Sequence, residues 1–141
     1  MATPVVFREF KKRQHNGSAG DLTGSGAVKV ALIDDTLSPS VTSHTEWSDL
    51  SANEVSGTGY TAGGIAVANP SVADDSNNAK YTHDDVEWSQ DGAGFSDARY
   101  AVWYFVSTGD LIAYMDLGGD VGNVSGPLKL DVGAGGVISI Q

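Results

Sequence analysis

ARYAVWYFVS, residues 98–107, reads as the strongest strand in the chain. Alternation puts Tyr100, Val102, Tyr104 and Val106 on one face and Ala101, Trp103 and Phe105 on the other. A strand with one wet face would be apolar on alternate residues only. Apolar groups on both faces imply a central strand between two layers. Ser107 to Asp110 is a tight connection into LIAYMDLG, so residues 98–116 are expected to form an antiparallel hairpin.

A second strand is read at AVKVALID, residues 27–34. Val28, Val30 and Leu32 share one face, and Lys29, Ala31 and Ile33 the other. Shorter strands are read near 64–69, stopped by Pro70, and in KYTHDDVEWSQ (80–90), where Val86 and Trp88 share a face. PLKLDVG and GVISIQ supply two more, with ADDSNNAK between the earlier ones as a polar turn. HTEWSDLSANEV (44–55) is read as a short helix, capped by Thr45 or Ser43. Acidic Glu46 and Asp49 sit early in it, and Trp47, Leu50 and Val55 turn to the core. The fold class is therefore mostly β: an antiparallel sandwich or barrel of about seven short strands with one short helix.

Composition agrees. Gly accounts for 18 of 141 residues, well above the usual ~7%, and Gly is costly in helices. The length suits one domain, and an apolar content of 40% is too high for a disordered chain. There is no cysteine, which excludes disulfides, thiolate metal sites and cysteine nucleophiles. No apolar run has the length of a membrane span, and MATPVVFREFKKRQHNGS lacks the order of a signal peptide, so a soluble protein without an export signal is expected.

The net charge of −10 is unevenly placed. Arg8, Lys11, Lys12 and Arg13 are half of the eight basic residues, with Glu9 among them, and residues 14–141 carry a balance of −13. An acidic body repels nucleic acid and anionic membrane. The basic stretch is read as a contact for an acidic partner or nucleic acid, or as a solvated tail. Residues 1–26 are read as an extended N-terminal arm, loosened by Gly17, Gly20, Gly24 and Gly26, and residues 27–141 as a single β-rich domain. In an extended arm Val6, Arg8 and Phe10 would oppose Val5, Phe7 and Glu9.

Motifs for chemistry are weak. In SGTGYTAGG (56–64), Gly57, Gly59 and Ala62 fit the G-x-G-x-x-[GA] spacing of a dinucleotide loop. That loop needs a strand before it and a helix after it, and here the order is reversed. The glycines are read as a helix-to-strand connection, with Tyr60 packed on the sheet. His15, His44 and His83 lie in separate segments, and surface or turn positions are the reading for each. The pairs Asp34-Asp35, Asp74-Asp75 and Asp84-Asp85 lack EF-hand spacing and are read as solvated turn acids, with a loop calcium site as the sharper alternative. No catalytic, cofactor or metal residue is assigned. Trp47, Trp88 and Tyr60 would form a sugar-stacking platform if exposed, but core packing is favoured for the tryptophans.

The segment KVALIDDTLSPSVTSHTEWSDLSANEVSGTGYTAGG, followed by DDVEWS, ARYAVWYF and LIAYMDLG, resembles a family of small structural proteins of tailed bacteriophages. The resemblance runs through residues 27–141, and ANEVSGTGYTAGG is its most specific block. It implies a non-enzymatic, β-rich virion component without a cofactor, made in the host cytoplasm. The expected role is a capsid decoration, or cement, protein on the capsid exterior, with a tail or tail-tip protein binding a host glycan as the alternative. A small glycosidase would need two carboxylates about 5–10 Å apart, and no pair stands out. The expected partners are the major capsid protein, other virion proteins and copies of itself, a trimer suiting local symmetry axes, with neither nucleic acid nor membrane. Val5, Val6, Phe7 and Phe10 are expected as apolar anchors of the arm, and Arg8, Lys11, Lys12 and Arg13 as its contacts to acidic groups.

Overall fold

A computed structural model of the chain describes residues 3–132 and 138–140, with the backbone alone for Asp75 and for 138–140. Its main sheet is antiparallel, in the order β1-β8-β7-β2-β3: β1 is Val5–Val6, β2 Val28–Ile33, β3 Ile65–Ala66, β7 Ala98–Phe105 and β8 Leu111–Val121. Two smaller antiparallel sheets lie against it. One is β10-β5-β4, with β4 Ser71–Asp75, β5 Asn78–Thr82 and β10 Ile138–Ile140. The other pairs β6, Val86–Trp88, with β9, Leu128–Leu130.

The central position of β7 follows from its two apolar faces. Ala101, Trp103 and Phe105 join Val28, Val30 and Leu32 of β2 in one core cluster, closed by Tyr81, Val86, Trp88 and Leu130 from the small sheets. Val102 and Tyr104 join Ala31 and Ile33 in a second cluster on the opposite face, closed by Leu50, with Leu37, Val41 and Trp47 packed against it. The molecule is thus an antiparallel sandwich on one face of the main sheet and a loop-covered layer on the other. Val106 is exposed just past the strand end.

The helix lies elsewhere than expected. Residues 44–55 make two single 3-10 turns, Trp47–Asp49 and Ser51–Asn53, and not an α-helix. Two strands and the β7–β8 turn take up this backbone: Trp47 N donates to Gly109 O at 2.7 Å, Leu111 N to Thr45 O at 3.1 Å, and Val55 N to Leu32 O at 3.1 Å. Neither Thr45 nor Ser43 caps it. The Asp49 carboxylate accepts from the backbone of Thr45 and Glu46 instead.

The α-helix is α1, Arg8–His15, inside the segment expected to be an extended arm. Among the segment's described residues Val5 and Val6 form a strand, and they pair with Tyr114 and Ala113 of β8. The boundary expected at residue 26 divides residues that share one core, because Phe7, Phe10, Ala19 and Leu22 pack with the β domain. The polar turn at ADDSNNAK contracts to Ser76-Asn77, the tip of a β4–β5 hairpin. Of the last expected strand, residues 138–140 pair with β5, while Gly136, Val137 and Gln141 lie outside the described residues.

Candidate partner-binding face

Helix α1 has local reasons to form. Glu9 sits in its first turn and Lys12, Arg13 and His15 in its last, the arrangement that complements the helix dipole. Gly17, at φ +75°, ends it in a left-handed turn, and Ser18 N donates back to Arg13 O at 2.9 Å. Residues 8, 11, 12 and 15 follow the i, i+3, i+4, i+7 spacing of one helix face. All four, Arg8, Lys11, Lys12 and His15, are exposed, so α1 carries a single basic stripe.

The eight residues expected to contact a partner divide into three groups. Arg8, Lys11, Lys12 and Val5 are exposed, Val5 by 43%. Arg8 Nη2 donates to Thr42 O at 2.7 Å, and Lys12 pairs with Glu9 at 3.2 Å. Val6 and Arg13 are half-buried. Arg13 is turned inward: its Nη1 lies 2.5 Å from Asp110 Oδ2, which also accepts from Thr108 Oγ1, at the turn between β7 and β8. Phe7 and Phe10 are buried within the chain itself, Phe7 against Tyr114 (centroids 5.5 Å apart) and Phe10 against Phe105 (6.2 Å). They are core side chains of the free protein, so the expectation of apolar anchors presented to a partner is corrected for both. His15 was missed because an extended reading gives it no common face with Arg8; the helical spacing is the signal that finds it.

The loop at 56–64 is built for packing. Tyr60 OH donates to Glu54 Oε1 at 2.7 Å and accepts from Leu32 N at 3.0 Å, while Gly63 N donates to the same Glu54 oxygen at 2.6 Å. Burial pushes the Tyr60 phenol well above its ordinary value. Gly64, at φ +84°, lies so close to β2 that a Cβ would overlap Val30 O. These glycines therefore serve close backbone approach.

Asn123, just past the end of β8, is a buried clamp. Its Oδ1 accepts from Phe95 N at 2.9 Å, and its Nδ2 donates to Ser89 O at 2.9 Å and Thr58 O at 3.1 Å. Of the histidines, His15 is exposed and His44 accepts from Ser40 N in a turn, whereas His83 is buried and accepts from Trp103 Nε1 at 2.9 Å, against the surface or turn reading.

Three of the paired acids are engaged locally. Asp34 accepts from Thr36 N, Asp84 from Asn69 Nδ2 at 2.7 Å, and Asp85 pairs with Lys129 at 3.2 Å. Among the described residues no three His or acidic side chains gather as metal ligands. Trp88 is 1% exposed, and Trp47 is half-buried with one ring face stacked on Tyr104, 4.9 Å between centroids and 7° from parallel. No family model, curated protein or solved structure matches the chain.

Proposed function

We propose that the chain is a bacteriophage capsid decoration protein, a non-enzymatic virion component bound to the outer head through the basic stripe of α1. The observation that carries this reading is the stripe: Arg8, Lys11, Lys12 and His15 on one exposed face of a protein whose remaining residues sum to −13. Such a dipolar molecule approaches an acidic surface in one orientation. The resemblance of ANEVSGTGYTAGG and its flanks to small phage structural proteins supports the choice of a virion surface as that partner. Edge residue Val5, beside the stripe, adds an apolar contact. Several copies around a local symmetry axis of the shell would add their contacts, so that release requires all to break together.

The rival glycan-binding reading loses its platform, because Trp88 is buried and Trp47 gives a ring face to Tyr104. The test is loading of purified protein onto bare heads across a salt series, followed by electron microscopy of the loaded particles. Wild type should occupy the head exterior, with binding that weakens as salt rises. The R8Q/K11Q/K12Q variant should fold normally, load more weakly and respond less to salt. Density on the tail, or no loading of the wild type, rejects the decoration reading. Equal loading of the variant would keep decoration and move the grip away from α1.

A further inference from the structure

His83 lies on the link from β5 to β6, between the small sheets and the Trp103 face of the main sheet, and is 5% exposed. Both of its ring nitrogens are engaged. Trp103 Nε1 lies 2.9 Å from Nε2, and an indole nitrogen can only donate. Nε2 is therefore the bare acceptor, and the ring proton is on Nδ1, which donates to Asp84 O at 2.6 Å. The neutral ring satisfies both neighbours. The imidazolium does not, because a proton on Nε2 would face the indole N–H.

We propose that His83 is an acid-sensitive latch: protonation at Nε2 breaks its bond to Trp103 and loosens the β5–β6 segment from β7. The titratable groups around the ring are few. Tyr81 of β5 lies with its ring 5.9 Å away, Asp84 and Asp85 adjoin it in sequence, Lys129 of β9 holds Asp85, and β7 presents the non-titrating Trp103. The two carboxylates that favour an imidazolium are already engaged, Asp84 by Asn69 and Asp85 by Lys129 and Val132 N. Burial outweighs their pull and holds the ring below the ordinary histidine range. The unfolded or opened segment then takes up a proton before the closed one does. The latch contributes its full stability above the unfolded value of about 6.5 and loses it as pH falls from there toward the folded value.

The test is native-state hydrogen exchange on the full chain, with the Trp103 indole N–H followed by NMR and assigned with W103F. Protection factors for amides 81–88 should fall about tenfold per pH unit below 6.5 while the closed ring stays neutral, and exchange of the Trp103 indole N–H should speed up with them. In H83Q, whose amide oxygen can still accept from the indole, this step should vanish. Protection that is flat between pH 7 and 5, or an unchanged step in H83Q, overturns the latch. Should H83Q fail to fold, the ¹⁵N shifts of the wild-type imidazole decide: an Nδ1–H tautomer at pH 7 supports it, and an Nε2–H tautomer or a charged ring rejects it. None of these outcomes depends on what the protein decorates.

Discussion

Phe7 and Phe10, three positions apart, are buried on opposite faces of the same five-stranded sheet. Phe7 fills the layer of Ile33, Leu50 and Val102, and Phe10 the layer of Trp103 and Phe105. The turn of chain between them carries Arg8 outward, with Glu9 half-buried. Each Phe→Ala change should cost about 3–5 kcal/mol, read as a lower urea midpoint. Removal of residues 1–13 takes both and should leave a chain that does not fold cooperatively. A truncated chain that melts like the full one would mean that the segment is dispensable.

Trp103→Ala should also cost about 3–5 kcal/mol as a large core truncation. Trp103→Phe keeps most of the volume but leaves His83 Nε2 without its donor. It should therefore cost clearly less than the alanine variant in denaturant melts. Equal losses would show that the hydrogen bond, and not packing, dominates at this site.

Asn123 joins three loops through one side chain. Asn123→Asp can still accept from Phe95 N but cannot donate to Ser89 O and Thr58 O. Each unmet buried group costs about 1–3 kcal/mol, so the variant should lose at least that much at neutral pH. A loss under about 0.5 kcal/mol, the range of an ordinary surface change, would show that the loops hold without the clamp.

Gly64→Ala and Gly17→Ala separate conformation from contact. Both positions have positive φ, but a Cβ at Gly17 meets open space, whereas one at Gly64 overlaps β2. Gly17→Ala should cost about 1–2 kcal/mol, the left-handed penalty. Gly64→Ala should cost more, because backbone has to move. Comparable melting temperatures for the two variants would contradict the close approach.

Acid stability should show a step below that of His83. Asp116 is held below the ordinary carboxylate range by hydrogen bonds from Arg99 and Gly118 N, Asp85 by Val132 N and Lys129, and Asp49 by the amides of Thr45 and Glu46. Folded values below the unfolded one mean stability that is complete above pH about 4 and lost as pH falls further. Urea midpoints measured from pH 5 to 2 should fall, and D116N should flatten that slope. An identical slope in D116N would show that the Arg99 pair contributes nothing.

Where alternation ran over several residues, the fold was legible. From Tyr100 to Phe105 in β7, and for the apolar residues of β2, the faces read from period two match the two clusters; Ala98 departs from the alternation, across a register shift between it and Tyr100. Short elements were not legible, since one or two backbone contacts from a neighbour outweigh local preference. Glu46, Asp49 and Leu50 look helical until the strand at Leu111 takes the Thr45 carbonyl. The N-terminal segment misled for a different reason. Cationic side chains beside Gly read as solvent-exposed tail, and nothing local tells that Phe7 and Phe10 have two separate pockets waiting. The basic residues themselves were visible, but their common face was not, because it exists only at helical spacing. Asn123 and His83 were opaque for want of any local pattern: their partners come from Thr58, Ser89, Phe95 and Trp103.

The pairing of Val5 with Tyr114 sets an order of events for the nascent chain. Phe7 donates its backbone N–H to Ile112 O and packs on Tyr114, so its site does not exist until β8 has been synthesised and has paired with β7. Until then two phenylalanines and a cationic helix-former stay in solvent, open to chaperones and to other nascent chains. Closure across so long a loop is slow to be rewarded. Docking of the N-terminal segment therefore waits on the β7–β8 hairpin, and a destabilised hairpin would be met in the cell as aggregation before it was seen as lost binding.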